Sequence, residues 1–507
     1  MKLDQLSAGL PGRVVRADGS EEITDIAFDS TRVAWGALFV CVRGMSADGH
    51  EFAQAALMAG AEALVVDHEL ELDAPQLVVA DTRRAMGPLA ARLFGDPSDE
   101  LRMVGVTGTN GKTTTAFLTR AILADSGVSC GLLGTVKQIV GGVEEPVVRT
   151  TPEAVDLQRT LRRMVDAGDR ACVLEVSSHA LALGRADAIH FDVAAFTNLT
   201  QDHLDFHADM EEYFAAKRLL FAPAEGGGGL APEAAAINVD DPYGARLREE
   251  LGAEGPPPAT SFSASGADAD LSAHEVSFDA TGSRFELRGP GAGVRSVELR
   301  LPGQFNVENA LAALAAADAL GLDLDAAVAA LAGAEPVPGR MEPVDAGQDF
   351  AVLVDYAHTP DSLENVLRAA RELSAGSLIC VFGCGGDRDG LKRPLMGRAG
   401  AELSDLAVIT SDNPRSEYPE AIIAQMLEGI PEEERARVMV EPDRRAAIAA
   451  ALAAAGAGDL VVIAGKGHEQ GQEFAGGRME PFDDREVARE ELLRLAAGAG
   501  HAGEGSA

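Results

Sequence analysis

The stretch Val104–Thr115, VGVTGTNGKTTT, restricts the fold more than any other part of the chain. An apolar run, LRMVGV, ends in a glycine-rich turn. It passes directly into KTTTAFLTRAILADSG, where apolar residues recur at helical spacing. Strand, tight turn and helix in that order make a phosphate-binding loop. Backbone N–H groups at the helix N-terminus attract phosphate, a lysine adds a point charge, and the hydroxyl beside it can bind Mg²⁺. The usual pattern, G-x-x-x-x-G-K-[ST], asks for glycine at position 106, and this chain has Val106 there between Gly105 and Gly108. The physics of the loop fits although the strict pattern fails.

The rest of the chain alternates in the same way. A length of 507 residues predicts about three domains. We read residues 1–98 as a small α/β N-terminal domain, with GALFVCV and AEALVV as strands and HEFAQAALMAGA as a helix ending at glycine. FGDPSDE is the linker. Residues 99–335 form a central P-loop ATPase-like parallel-sheet domain, with strands ACVLEVSS and FDVAAFTNL. Two Gly/Pro-rich breaks, APAEGGGGLAPEAAA and LGAEGPPPATSFSASGADAD, are expected to be surface loops. SRFELRGP and SVELRLPG alternate like a hairpin, and NVENALAALAAADALG is an alanine-rich helix. Residues 336–497 form a C-terminal Rossmann-like domain. Its strands FAVLVDYA, SLICVFG, DLAVITSD and DLVVIAGKG alternate with helices, the signature of a parallel sheet. Residues 498–507 are expected to be a disordered tail. The fold class is α/β.

Composition excludes several roles. Apolar residues make up 46% and charged residues 24%, as in a globular soluble protein. We find no apolar run of membrane-spanning length and no signal-peptide core, so a cytoplasmic location is expected. A net charge of −37 argues against nucleic-acid binding, and it requires an enzyme of anionic ligands to gather its cations locally. Five cysteines make no disulfide framework. Cys380 and Cys384 are expected to be structural thiols.

Polar clusters follow the strands, where ligands of such sheets bind. Glu175 ends ACVLEV, a suitable place for a Mg²⁺ carboxylate. FTNLTQDHLDFH brings Asp202, His203, Asp205 and His207 together. Lys217 in YFAAKRLLF reads, by itself, as an ordinary solvated lysine. DYAHTPDSLENVL offers Asp355 and His358, with Asp361 or Ser362 as the helix cap. GCGGDRDGLKRPLMG holds Arg388, Lys392 and Arg393. TSDNPRSE presents Asp412, Asn413, Pro414 and Arg415, and AGKGHEQGQE presents Gly465, Lys466, His468 and Glu469. Arginine grips carboxylates through two nitrogens, and glutamate suits an ammonium, so the last three loops point to a zwitterionic amino acid.

These segments, in this order and spacing, resemble the Mur ligase family of peptidoglycan synthesis over nearly the whole chain. The resemblance is strongest to the branch that adds meso-diaminopimelate to UDP-N-acetylmuramoyl-L-alanyl-D-glutamate. It implies ATP and Mg²⁺ as cofactors, the UDP-muramoyl dipeptide and the amino acid as partners, and a monomer. Gly108, Thr109, Asn110, Gly111, Lys112, Thr113 and Thr114 would hold the ATP phosphates, with Asn309, Arg340 and Asp355 at base, phosphate and ribose. Thr113, Glu175 and His203 would bind metal. Lys217 matches the family's carbamylated lysine, which replaces a cation by a metal-binding carbamate. Ser30, Thr150, Thr151, Ser177 and Arg185 match contacts to the UDP-muramoyl substrate. Arg388, Asp412 to Arg415, Gly465 and Glu469 match the diaminopimelate pocket. The chain departs from the family at Thr31, Gln201 and Leu183. The implied chemistry is phosphorylation of the D-glutamate side-chain carboxylate to an acyl phosphate, attack by the amine, and domain closure around three ligands. Lysine-adding and folate-polyglutamate relatives are disfavoured by DNPR and by the first domain. A non-catalytic nucleotide switch would not need Lys217, His203 and Glu175 together.

Overall fold

Continuous apolar strands buried on both faces, joined by helices, give three α/β domains, each built on its own sheet. The computed structural model describes all residues except 45–46, 148, 225–228, 253–254, 280–281, 290–292 and 504–507, with backbone alone for 498–503. The first sheet runs Gly12–Val15, Gln76–Val79, Ala61–Val66, Ala37–Val40, Asp25–Ala27, parallel except for its first pair. As expected, the helix Ala53–Ala59 stops at Gly60, whose φ of 112° suits a left-handed cap.

The middle sheet has eleven strands. Arg102–Thr107, which feeds the phosphate loop, sits between Val193–Phe196 and Ala171–Glu175, parallel to both. The helix Lys112–Asp125 packs on the alanine-rich helix Gln304–Ala319, whose small side chains allow close approach. The expected hairpin is present as Gly282–Gly289 paired antiparallel with Gly293–Leu299. Leu271–Asp279 joins it, and a second antiparallel meander from Cys130 to Glu145 closes the other side, so the sheet is mixed rather than purely parallel. The two Gly/Pro-rich breaks are not loops throughout. Ala234–Asn238 and Ala259–Ser263 are adjacent parallel strands, which bury Ile237 and Phe262 inside the sheet. Short strands beside glycine and proline gave no periodic signal. Residues 225–228 and 253–254 of these breaks lie outside the described residues.

The third sheet runs Glu342–Pro343, Ala351–Asp355, Leu460–Ala464, Leu378–Phe382, Leu406–Ile409, Val438–Val440, parallel apart from its first strand. The cap of helix Pro360–Leu373 is Thr359, not Asp361 or Ser362. Ser362 is its reciprocal capping-box partner, and this frees Asp361 for another task. The last helix, Asp484–Gly503, carries on into the segment read as a disordered tail; 504–507 lie outside the described residues. It is anchored by Asp484, whose carboxylate takes two fully buried hydrogen bonds from Arg444 at 2.8 and 2.7 Å. All five cysteines are buried and free.

Candidate functional site

The phosphate loop is shaped by two glycines that nothing larger can replace. Gly111 has φ 83°, and a methyl there would lie 2.2 Å from Asn309 Oδ1. At Gly108 it would lie 1.8 Å from Thr197 Oγ1. Lys112, the first residue of the helix, curls back so that Nζ donates to the carbonyls of Gly108 and Thr109 at 2.8 and 2.7 Å. Thr109 is tied to Thr200 O at 3.2 Å and Tyr213 Oη at 3.1 Å, and Asn110 N donates to Asn198 Oδ1 at 2.8 Å. Thr114 is buried on the same cavity wall.

Glu175, at the end of its strand, is fully buried and faces this loop. Thr113 Oγ1 donates to its Oε2 at 2.9 Å, while Thr135 supplies both N–H and hydroxyl, each at 2.9 Å. Lys217, read from sequence as a solvated lysine, is only 1% exposed. Its Nζ donates to Gly108 O at 2.7 Å and lies 4.6 Å from the Tyr213 ring. Burial, reinforced by the Lys112 cation, pushes the Lys217 ammonium well below its ordinary pKa. Burial likewise lowers Lys112. His203, in a left-handed turn at φ 56°, is lowered to about 3 by burial and stays neutral at neutral pH. Lys112, Thr113, Glu175, His203 and Lys217 all line one cavity of about 210 Å³.

The third domain closes this cavity. Arg340, lying 4.6 Å over the Tyr356 ring, donates to Thr113 Oγ1 at 3.1 Å. Asp361 accepts from Asn110 Nδ2 at 2.8 Å. Lys392 Nζ reaches Asp202 Oδ1 at 3.4 Å, with His358 Nε2 3.9 Å from the other oxygen. Burial would raise Asp202, but Lys392 and the two histidines hold it below the carboxylate range. Asn309 donates to Asn306 Oδ1 at 3.2 Å on the cavity wall. Asp355 is committed to backbone: it accepts from Met341 N and Ala357 N, both at 2.7 Å, and so fixes the turn that carries Arg340.

The amino-acid loops gather at the carboxyl edge of the third sheet. Lys466 is fully buried, and its Nζ bonds Asp412 Oδ1 at 3.3 Å, Asn413 Oδ1 at 2.8 Å and Glu469 Oε2 at 2.9 Å. Glu469 thus already holds an ammonium, and also accepts from Asn413 Nδ2 at 2.9 Å. Gly465 lies beside them, 3.7 Å separating a methyl placed there from Asp412 Oδ2. Arg415 sits in a left-handed turn after Pro414, at φ 51°. Its Nε bonds Glu473 Oε2 and its NH1 bonds Gly386 O, both at 2.8 Å. A methyl at Gly385 would lie 3.0 Å from Arg415 NH1 and 3.7 Å from Arg388 Cγ, so both arginines flank that glycine, Arg388 exposed. Arg393, by contrast, is bound to Glu417 and Gln425 inside the domain.

The residues matched to the UDP-muramoyl substrate divide between two places. Thr150 and Ser177 line the central cavity; Thr151 supports it, its hydroxyl donating to Glu175 O at 2.8 Å. Arg185 NH1 donates to Thr151 O at 3.3 Å. Ser30 and Thr31 line a separate cavity of about 460 Å³ in the first domain. Arg32 turns from it to Asp156, at 3.0 Å.

Sequence reading missed Thr135 and Glu473; it named Lys392 only among the amino-acid loops and Asp361 only as a helix cap, not as partners of Asp202 and Asn110. Thr135 follows a strand and a glycine, the one local signal that marked it. Its partner Glu175 is 40 positions away, and Asp361 is 251 from Asn110.

Three family models match the chain: "Mur ligase family, catalytic domain" over residues 22–92, "Mur ligase middle domain" over 106–317 and "Mur ligase, glutamate ligase domain" over 339–467. The UDP-N-acetylmuramoyl-L-alanyl-D-glutamate–2,6-diaminopimelate ligase of Geobacillus kaustophilus is 46% identical over 96% of this chain and 99% of its own length. Its Streptomyces coelicolor counterpart is 47% identical over 97% and 95%. A solved ligase of the same name aligns at TM-score 0.68 and 33% identity, covering 98% of this chain and 99% of that one. MurF from Acinetobacter baumannii, at 21% identity and TM-score 0.65, shares the fold over 97% and 98%. With its three domains matched in order and its relatives aligned end to end, this chain belongs to the Mur ligase family.

Proposed function

We propose that this chain is an ATP-dependent ligase that joins meso-diaminopimelate to UDP-N-acetylmuramoyl-L-alanyl-D-glutamate. The observation that carries the reading is the convergence of Lys112, Thr113, Glu175, His203 and Lys217 on one cavity that Arg340 closes from the third domain. The relatives' names and their full-length alignment support the substrate assignment.

The ATP phosphates would lie on the N–H groups of residues 108–114, where glycine is sterically required. Lys112 would exchange its two carbonyl partners for phosphate oxygens, and Arg340 would meet the same charge from the opposite side. The donor set suits Mg²⁺: the Thr113 hydroxyl and Glu175 carboxylate are hard oxygen ligands 2.9 Å apart, and His203 lines the same cavity. When bound, Mg²⁺ supplies charge neutralisation at the transferring phosphoryl group. Lys217 would enter that set as a carbamate. Its buried ammonium would lose one proton to become an amine, form an N–C bond with CO₂ and lose a second proton, which turns a desolvated cation into an anion.

Phosphoryl transfer to the D-glutamate side-chain carboxylate breaks the β–γ bond of ATP and gives ADP and an acyl phosphate. The deprotonated amine of diaminopimelate attacks the acyl carbon, and the tetrahedral adduct expels phosphate to leave the amide. The protein supplies no covalent nucleophile. Its residues position the reactants and place positive charge where negative charge accumulates. Arg415 and Arg388 would take the carboxylate that distinguishes diaminopimelate from lysine, and Glu469 with Asp412 and Asn413 would take its ammonium.

Incubation with ATP, Mg²⁺, the UDP-muramoyl dipeptide and meso-diaminopimelate should yield a product heavier than the dipeptide by one diaminopimelate residue, with one phosphate per product. A product of unchanged mass would remove the proposal.

A further inference from the structure

A second gathering of metal-ligating side chains lies in the first domain, outside the central cavity. His50, Asp67 and His68 each offer one ligand atom, and the three atoms lie within 4.8 Å of one another. Two loops bring them together. One follows the strand Ala37–Val40 and carries Asp48 and His50, and the other follows Ala61–Val66 and begins with Asp67 and His68. The two strands are adjacent and parallel, so both loops leave the sheet at its carboxyl edge, where such sheets bind ligands.

The hydrogen bonds around His50 show where its lone pair points. The side chain is only 6% exposed, and Nδ1 lies 2.5 Å from Asp48 Oδ1. Asp48 is itself fixed, because the same oxygen accepts from His50 N at 3.0 Å and caps the short helical turn Gly49–Phe52. On the other side of the ring, Asp67 N donates to Nε2 at 3.2 Å. The proton therefore sits on Nδ1 and the lone pair on Nε2. That lone pair lies 3.3 Å from Asp67 Oδ1. Two acceptors facing each other repel unless a cation lies between them. The separation is about that of two ligands on one tetrahedral zinc ion, whose bonds to nitrogen and oxygen are about 2.1 Å long. His68 Nδ1 meets the same Asp67 oxygen, with its ring stacked on His50 at 5.0 Å between centroids. Arg43 Nε takes the other oxygen, Oδ2, at 2.7 Å, which leaves Oδ1 to the two histidines. The Asp48 carboxylate behind His50 is the partner that a ligating histidine commonly has. It orients the ring and raises the basicity of the nitrogen that faces the metal.

We propose that His50 Nε2, Asp67 Oδ1 and His68 Nδ1 bind a zinc ion, separate from the Mg²⁺ set at Thr113 and Glu175. Two imidazoles and one carboxylate suit a borderline ion such as zinc, whereas Mg²⁺ takes oxygen ligands. His68 is 56% exposed, so it turns onto the ion without repacking, and solvent supplies the fourth ligand. The ion ties the loop after Ala37–Val40 to the end of the neighbouring strand. Val42, Gly44, Ala47 and Gly49 of that loop line the first-domain cavity with Ser30, so the tie stiffens one wall of it. The proposal does not depend on the function proposed above.

The test is equilibrium dialysis of the chelator-stripped full chain against zinc in excess Mg²⁺, with ATP binding as the control for folding. His203→Gln separates this site from the central one. The wild-type chain and His203→Gln should both hold a zinc ion at about 1 μM or tighter, and His68→Gln should weaken that ion at least tenfold. Asp48→Asn, which leaves all three ligands in place, should weaken it about tenfold. Zinc should slow hydrogen exchange of the amides of residues 47–50 in the wild-type chain and not in His68→Gln. Equal zinc affinity in the wild-type chain and His68→Gln would overturn the site. So would a His203→Gln chain that holds no zinc tighter than about 100 μM. Zinc bound at this site without slowed exchange would overturn its role as a tie between the two loops.

Discussion

The phosphate loop and the amino-acid pocket both use lysine and arginine, but they hold them differently. In the loop, Lys112 rests on neutral backbone carbonyls. In the pocket, Lys466 is bound to Asp412 and Glu469, and Arg415 to Glu473. A cation on carbonyls keeps nearly all of its field for an incoming phosphate. A cation already paired with a carboxylate must share, so a ligand gains only the difference between partners. The first arrangement is built to stabilise developing charge strongly, the second to discriminate among ligands through geometry. Mutations in the loop should therefore act on kcat, and mutations in the pocket on KM for the amino acid.

The largest effect is expected at Lys112. Lys112→Ala should lower kcat about 10³-fold in steady-state phosphate release, with KM for diaminopimelate nearly constant, as for loss of a preorganised charge at a phosphoryl group. A matching rise in that KM would break the contrast. Lys217→Ala should cost about 10²-fold or more in the same assay by removing one anionic metal ligand, and formate should restore part of the rate. Failure of formate, with the fold intact by circular dichroism, would argue for a plain ammonium at this position. Arg415→Ala should raise KM for diaminopimelate about 50-fold through the lost carboxylate contact, while ATP binding stays unchanged.

The smallest effect concerns the closed interface. His468 is lowered to about 4 by burial and by the Arg340 cation. In the unfolded chain its pKa would be about 6.5. Between these values the unfolded state binds a proton that the folded state refuses, so this residue's contribution lowers stability as pH falls from about 6.5 toward 4. His468→Gln should flatten the fall of Tm over that window, and an NMR titration should place His468 near 4. A midpoint near 6.5 would mean that His468 is not buried beside Tyr356 and Arg340 in solution.

What could be read from the sequence was mostly local. The phosphate loop, the Gly60 helix stop and four of the six strands of the third sheet each follow from consecutive residues, and all are in the structure. The strand Ala234–Asn238 of the middle sheet was not legible, since it is too short and too alanine-rich to show a period beside four glycines. Lys217 is the sharpest case. A lysine on a helix carries no sign of burial in its own segment, and only the family resemblance raised it above a solvated charge. Arg340 on Thr113, 227 positions apart, could not be paired by any local rule.

The most direct test of the account is phosphate release by the wild-type chain with ATP, Mg²⁺ and the UDP-muramoyl dipeptide, comparing meso-diaminopimelate with L-lysine. The account predicts release with diaminopimelate and about 10⁴-fold less kcat/KM with lysine, which leaves the arginine pocket unpaired. Equal release with both amino acids would contradict the assignment of Arg415 and Arg388 and the contrast drawn between the two regions.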